Sequence, residues 1–194
     1  MDHRSSLRRS QLELGRHIST LTDAQLDLTT PCQDWTVRDL LRHVTSNGYA
    51  LAAAFADEKY DADTDPRLDG DLRVCFMEAA DLAWSHASQE SNLERLMEFA
   101  GADRPGWFRV SFQFLDGFVH IWDLGKAIGA DLPLDADLVE QCFTIAELIP
   151  DDSSVRGPGK PFGEKVSVPA DAPAADRLIG FSGRSPSWSA PSSN

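Results

Sequence analysis

The sequence lacks the long apolar run that a membrane-spanning helix requires, which is about 20 residues. Its longest apolar run, from Ala50 to Ala56, is short and rich in alanine. The N-terminal segment from Met1 to Ser10 is charged and polar, and no apolar stretch follows it, so it does not resemble a signal peptide. We therefore expect a cytoplasmic protein that has no membrane partner.

Cysteine is scarce as well. The three cysteines, Cys32, Cys75 and Cys142, are far apart, odd in number and outside any CxxC pair. This distribution excludes a disulfide framework and a metal site built from paired cysteines. We expect three reduced thiols that serve as small buried hydrophobic side chains.

Basic residues are few relative to acidic ones. The chain has 18 Lys and Arg against 31 Asp and Glu, which gives a formal net charge of −13. Such a chain repels phosphate backbones and anionic lipids, so nucleic acid is excluded as a partner and a small molecule is favoured. The chain has 194 residues, of which 42% are hydrophobic and 25% charged, values typical of one globular domain with a substantial core.

Apolar residues recur at helical rather than strand spacing up to Pro150. We predict helices over about residues 6–20, 37–57, 71–89, 108–128 and 135–149, joined by loops, with residues 91–106 irregular. Thr36 and Asp39 form a capping-box variant before the second helix, and Gly129 ends the fourth. This pattern predicts an all-α fold, namely an up-down four-helix bundle. The exposed faces of such a bundle are compatible with a homodimer.

The composition changes beyond Pro150, where several glycines and prolines preclude a long helix. We therefore divide the chain into a helical bundle over 1–150 and a short irregular C-terminal extension over 151–194 that packs on the bundle. One short helix is expected within residues 172–181. The last ten or so residues are rich in Ser and Pro and are predicted to be flexible.

Two of the five histidines lie in the middle of strongly patterned helices, namely His43 and His120. His3 falls in the terminal segment and is expected to have no role, while His17 and His86 have polar neighbours. Asp116 precedes His120 by four residues, so both side chains lie on one helix face with Cβ atoms about 5–6 Å apart. That spacing lets an aspartate and a histidine bind one metal ion.

His43 lies at the equivalent depth of the second helix. If the second and fourth helices are neighbours, His43 supplies a third ligand, as in bundles that build metal sites from facing helices. The pattern alone leaves an ordinary Asp–His hydrogen bond open as the alternative. It also leaves Asp123 open as either a ligand or a hydrogen-bond partner of a ligand.

Three blocks of the sequence resemble a known family. The segment Thr30–Val44 resembles the signature TPC-x-x-WTVRDL-x-x-H of actinobacterial metal-binding proteins related to the N-terminal domain of mycothiol-dependent maleylpyruvate isomerase. The segment Asp116–Leu124 resembles the second block, D-x-x-x-H-x-WDLA, and Phe162–Arg184 is similar to the closing block. These proteins belong to the DinB-like four-helix bundles.

The resemblance implies a divalent metal, commonly zinc or nickel, held by His43, Asp116 and His120, which then also serve as the catalytic residues. The isomerase carries glutamate at the acidic position and has a further C-terminal domain, for which this chain is too short. Maleylpyruvate isomerisation itself is therefore not implied. Two further departures, Gly125 and Lys126, follow the WDL motif and have no assigned role.

Three functions follow from this resemblance, in order of preference. The first is a metal-dependent enzyme of the thiol-dependent isomerase or S-transferase type, with mycothiol as the thiol. The second is an enzyme of secondary metabolism that catalyses a cyclisation, rearrangement or dehydration on the same scaffold without a catalytic metal. The third is a non-enzymatic metal-binding or stress-response protein.

Overall fold

The computed structural model describes residues 2–99, 101–158, 160 and 162–191. Seven α-helices and one β-hairpin are present in this part of the chain. Their bounds are α1 His3–Ile18, α2 Val37–Phe55, α3 Leu72–Ala87, α4 Glu90–Glu94, β1 Leu96–Phe99, β2 Ala102–Pro105, α5 Gly106–Ile128, α6 Ala136–Ala146 and α7 Ala174–Phe181. Short 3-10 helices occupy Asp23–Asp27 and Pro66–Asp69. The predicted all-α fold class is confirmed.

Four long helices, α1, α2, α3 and α5, form the bundle. Helix α2 packs against α3 and α5, and α1 packs against the same two helices from the other side. Helix α6 packs against α5 and α7. The largest side chains buried almost completely come mainly from these helices: Leu7, Leu14, Ile18, Leu40, Leu41, Leu51, Phe114, Leu115, Phe118, Ile121, Leu124 and Leu178.

Helices α2 and α5 carry the candidate site. Capping residues determine where α2 begins and where α5 ends. Thr36 Oγ1 accepts a hydrogen bond from the Asp39 backbone N–H, and Asp39 Oδ2 accepts one from the Thr36 backbone N–H at 2.8 Å. This reciprocal capping box satisfies two N–H groups that a helix start leaves unpaired. Gly129 ends α5 in the left-handed conformation at φ 67°, as a C-terminal glycine does.

The hairpin of β1 and β2 corrects the prediction that residues 91–106 are irregular. The strands pair antiparallel, with Leu96 opposite Pro105 and Phe99 opposite Ala102. Met97 is buried, and Phe99 packs edge to face against Phe112 of α5. Each strand has only four residues, which is too short for a clear alternation of apolar and polar side chains. The hairpin is stabilised by packing against α5, and a short window of sequence does not reveal that contact.

Several other boundaries differ from the predictions by a few residues. Helix α1 begins at His3 because Asp2 caps its first turn. His3 therefore has a packed position, stacked on Trp107 at 5.1 Å between ring centroids and hydrogen-bonded to Ser111, in a helix that the sequence predicts to begin only at about residue 6. Helix α6 ends at Ala146.

The C-terminal segment after α6 packs on the bundle through buried apolar residues. Leu178 and Ile179 of α7 are fully buried, and Phe162 is buried between the rings of Phe112 in α5 and Phe181 in α7. The division into residues 1–150 and 151–194 stays a prediction, as does the flexibility of the last residues, of which 192–194 lie outside the described part. No helix in the described residues is both long and apolar enough to span a membrane.

Candidate metal centre

Helices α2 and α5 bring His43, Asp116 and His120 to one place. His43 Nε2 lies 3.3 Å from Asp116 Oδ1 and 3.2 Å from Asp116 Oδ2. His120 Nε2 lies 3.4 Å from Asp116 Oδ1, one helical turn along α5. The three side chains thus offer two imidazole nitrogens and one carboxylate oxygen within 4.8 Å of one another.

These spacings fit a shared cation. Ligand atoms at about 2.0–2.1 Å from a tetrahedral zinc ion are about 3.3–3.4 Å from one another. The distances from Asp116 Oδ1, 3.3 Å to His43 Nε2 and 3.4 Å to His120 Nε2, match two edges of that tetrahedron. A set of two histidines and one carboxylate is also the donor chemistry of catalytic zinc sites. The residues present therefore fit a divalent metal.

Asn47, one turn after His43 on α2, closes the cluster from the side. Its Nδ2 donates to Asp116 Oδ2 at 2.9 Å and lies 3.0 Å from His43 Nε2. Asp116 therefore keeps one oxygen, Oδ2, in a hydrogen bond and leaves Oδ1 between the two imidazoles. The sequence interpretation missed Asn47, although its spacing of four residues from His43 is the same signal that identified Asp116 and His120.

The cluster is closed on one side and open on the other. His120 is only 2% exposed, whereas the side chains of His43 and Asp116 are 31% and 23% exposed. The Trp35 ring lies 5.0 Å from the His43 ring and 6.1 Å from the His120 ring, centroid to centroid. Solvent therefore reaches the cluster from the side of His43 and Asp116, where the Trp35 ring lies beside the imidazoles.

Charge rather than burial decides the ionisation of two of these groups. Burial disfavours the Asp116 carboxylate, but the neighbouring His43 and His120 outweigh it and hold the pKa of Asp116 well below its usual range. Burial likewise disfavours a charged His120, yet Asp116 and the hydrogen bond to Asp123 raise its pKa well above the usual value. The proton on His120 thus supplies the positive charge beside Asp116 that a bound divalent cation would otherwise provide.

A second polar cluster adjoins the first through His120. His120 Nδ1 lies 2.8 Å from Asp123 Oδ2, and Cys32 Sγ lies 3.3 Å from the same oxygen. Arg184 donates from Nη2 to Asp123 Oδ2 at 3.0 Å and from Nε to Asp123 Oδ1 at 3.3 Å. Burial opposes the Asp123 charge, but Arg184 and His120 lower the pKa of Asp123 to about 2.

Cys32, His120 and Asp123 are the other close donor set among the described residues. Arg184 already places a positive charge on Asp123 and donates to Cys32 Sγ at 3.3 Å, so a metal ion there would be opposed by a neighbouring cation. The set of His43, Asp116 and His120 has no such competing cation in the described contacts and is the better metal site.

The cysteines, Lys126 and Arg184 lie in surroundings that the sequence predicted only in part. Cys142 is buried as expected, whereas Cys32 and Cys75 are only half-buried, which corrects their interpretation as buried hydrophobic side chains. Cys32 belongs to the polar cluster, and Cys75 Sγ donates to the Arg67 carbonyl at 3.2 Å. Lys126 lies over the Trp122 ring at 5.4 Å and lines an open groove with Trp188. Arg184 was missed because its partner Asp123 is 61 residues away in sequence.

Comparison with known proteins identifies the family. The family model described as mycothiol maleylpyruvate isomerase N-terminal domain matches residues 7–125. Two uncharacterized proteins from two strains of Mycobacterium tuberculosis are each 28% identical over 184 residues, which is 95% of this chain and 98% of each relative. No solved structure matches the chain. Because the family model matches more than half of the sequence, the chain belongs to the mycothiol maleylpyruvate isomerase N-terminal domain family.

Proposed function

We propose that this protein is a metal-dependent enzyme that acts on a small molecule together with a low-molecular-weight thiol such as mycothiol, as an isomerase or an S-transferase. The observation that carries the proposal is the cluster of His43, Asp116 and His120, with three donors on one side and access on the other. Three protein ligands leave a coordination position for a further group, which is typical of catalytic rather than structural sites.

A bound zinc or nickel ion would supply a positive charge that lowers the pKa of a thiol and so makes the thiolate available at neutral pH. The residues of the chain have separate tasks. Asn47 holds one oxygen of Asp116, and Asp123 holds Nδ1 of His120, so that each ligand presents one defined atom. Trp35 provides an apolar wall beside the imidazoles and limits the access of water.

The proposal is tested by metal content and metal affinity. The purified protein is analysed for bound metal, then titrated with Zn²⁺ beside His43→Ala, His120→Ala and the control His86→Ala, whose ring stacks on Phe55 instead. We expect the wild type and the control to bind one ion and the two site variants to lose it. Full retention of the metal by both site variants would falsify the proposal.

The thiol part of the proposal has its own test. Turnover of electrophilic substrates, such as epoxides and activated alkenes, is measured with mycothiol and with a simple thiol in the metal-loaded protein. We expect thiol-dependent turnover that disappears when the metal is chelated and returns when it is added back. Absence of turnover from a metal-loaded protein would instead favour a binding protein.

One observation favours a second candidate, an enzyme of secondary metabolism that performs its chemistry without a metal. His43, Asn47 and Asp116 form a hydrogen-bonded group at the open side, beside Trp35, which is an arrangement suited to general acid–base catalysis. This candidate predicts that turnover of its substrate survives complete chelation. Loss of activity on chelation and recovery with metal would exclude it.

A further inference from the structure

Arg184 is remote from the helical bundle in sequence but reaches its metal-binding side. It follows α7 and Gly183, which has φ 86°, and its backbone N–H donates to the carbonyl of Ile179 at 3.1 Å. The chain crosses closely here, since a Cβ on Gly183 would lie 2.7 Å from Gly163 Cα. Both the left-handed conformation and this close approach require glycine, so the backbone before Arg184 is fixed in place.

The guanidinium group of Arg184 contacts both oxygens of one buried carboxylate. Asp123 is 0% exposed, and Arg184 donates to its Oδ1 and Oδ2 from Nε and Nη2. The Arg184 side chain is 14% exposed, and its Nη1 donates to the carbonyl of Ser182 at 2.8 Å. Such a two-point contact fixes the plane of the carboxylate, which a single-point contact would leave free to rotate.

The plane of Asp123 in turn decides how His120 is presented. Nδ1 of His120 lies 2.8 Å from Asp123 Oδ2, while its Nε2 points to Asp116. A hydrogen bond from Nδ1–H to Asp123 leaves Nε2 as the atom that binds a metal. Cys32 Sγ, which donates to Asp123 Oδ2 at 3.3 Å, supports the same oxygen from the loop before α2.

We propose that Arg184 is a positioning residue of the metal centre, because it orients Asp123 and thereby the imidazole of His120 from the C-terminal segment. The inference rests on the proposed metal site at His43, Asp116 and His120. Beyond that site, we infer that tight metal binding depends on the Arg184 side chain, which contacts none of the three ligands and lies in the C-terminal segment. Partners that orient metal-bound histidines typically change metal affinity by about 10–100-fold when they are removed.

The test is a Co²⁺ titration of the full-length protein, followed by calorimetry and visible absorption. The variants are Arg184→Gln, Arg184→Lys and Arg8→Gln, the last a control whose guanidinium pairs with Asp81 on α3. We expect Arg184→Gln to bind Co²⁺ about 10-fold more weakly and to show an altered absorption spectrum. Arg184→Lys should recover part of the affinity, and Arg8→Gln should match the wild type.

A double-mutant cycle separates positioning from a general structural role. If Arg184 acts through Asp123, then Arg184→Gln lowers Co²⁺ affinity in the wild type but not further in an Asp123→Asn background. Losses that simply add, or an Arg184→Gln affinity equal to that of the wild type, overturn the inference. If Arg184→Gln does not fold, as judged by circular dichroism, equal affinities of Arg184→Lys and the wild type overturn it instead.

The two proposals fail in different ways. A wild-type protein that binds no Co²⁺ overturns the metal centre itself, and this inference with it. A wild type that binds Co²⁺ through His43 and His120, with no loss in the Arg184 variants, overturns only the role of Arg184.

Discussion

Asn47 joins two of the proposed ligands and gives a prediction at the scale of a single residue. Its amide fixes Oδ2 of Asp116, so Asn47→Ala frees this carboxylate to rotate away from the imidazoles. We expect zinc affinity to fall by about 10-fold, as for other hydrogen-bond partners of metal ligands. Zinc titration by calorimetry checks this, and Ser46→Ala, whose hydroxyl donates to the His43 backbone carbonyl, is the control. Unchanged affinity in Asn47→Ala would contradict the assigned role.

Asp123 gives a second residue-scale prediction, on stability in the absence of metal. Removing its charge by Asp123→Asn leaves Arg184 without its carboxylate partner, and losing one member of a buried ion pair costs about 3–5 kcal/mol of unfolding free energy. The Asp123 side chain is fully buried, so solvent cannot replace the lost partner. Urea unfolding of both proteins near neutral pH measures the difference.

The same difference in stability is expected to depend on pH. The pKa of Asp123 is about 2 in the folded protein, below its ordinary value of 3.8. The ionised carboxylate therefore stabilises the fold fully above about pH 4, and this contribution is lost as the pH falls towards about 2. Urea unfolding between neutral and acidic pH should show the wild type and Asp123→Asn converging below pH 4. A gap that stays constant with pH would argue against the Asp123–Arg184 pair.

At the residue scale, sequence reasoning succeeded where partners are close along the chain. Asp116 and His120 are one helical turn apart, and the structure brings them within reach of each other as that spacing predicts. Their meeting with His43 was expected from the family resemblance, because periodicity does not say which helices are neighbours. Arg184 had no local signal, since its contact with Asp123 exists only after the C-terminal segment folds back.

At the scale of elements, caps predicted helix ends better than apolar spacing did. Asp71 and Asp135, at which the third and fifth predicted helices begin, each accept hydrogen bonds from the first backbone N–H groups of α3 and α6. The hairpin of β1 and β2 escaped prediction because its short strands carry little periodic signal. Its burial comes from α5, which follows it in sequence, so tertiary packing decides its structure.

Close approach of α2 and α3 gives a prediction at this scale. A Cβ on Gly48 would lie 2.9 Å from Ala79 Cβ and 3.0 Å from the Ala79 backbone carbon. Gly48→Ala therefore forces the two helices apart, and we expect a loss of about 1–3 kcal/mol in unfolding free energy. Backbone atoms are involved, so a change of rotamer cannot relieve the contact.

The matched control for this prediction is Gly117→Ala in α5. A Cβ at Gly117 meets no atom within 4 Å, so alanine there gains about 0.5–1 kcal/mol from its better helix propensity. Thermal and urea unfolding of the two variants should therefore move in opposite directions from the wild type. Equal effects of the two alanines would show that helix propensity, rather than the α2–α3 contact, governs both sites.

At the scale of the whole molecule, the question is whether the bundle and the C-terminal segment unfold together. Leu178 of α7 is fully buried, and Phe162 of the same segment packs edge to face on Phe112 of α5, with ring centroids 5.8 Å apart. The proposed metal-binding side also contacts this segment, because Arg184 donates to Asp123 of α5. Shared burial of this kind favours one cooperative unit over two independent ones.

Leu178→Ala tests that cooperativity. Replacing a fully buried leucine by alanine typically costs about 2–5 kcal/mol, through lost burial and the cavity that remains. If the molecule is one unit, hydrogen exchange should accelerate in both α5 and α7 of the variant, by similar factors under conditions of global opening. The control is Leu148→Ala, because Leu148 is 49% exposed and its truncation leaves no cavity. Faster exchange confined to α7 would instead show that the C-terminal segment opens alone, and the positioning of Asp123 by Arg184 would then be lost and regained without unfolding of the bundle.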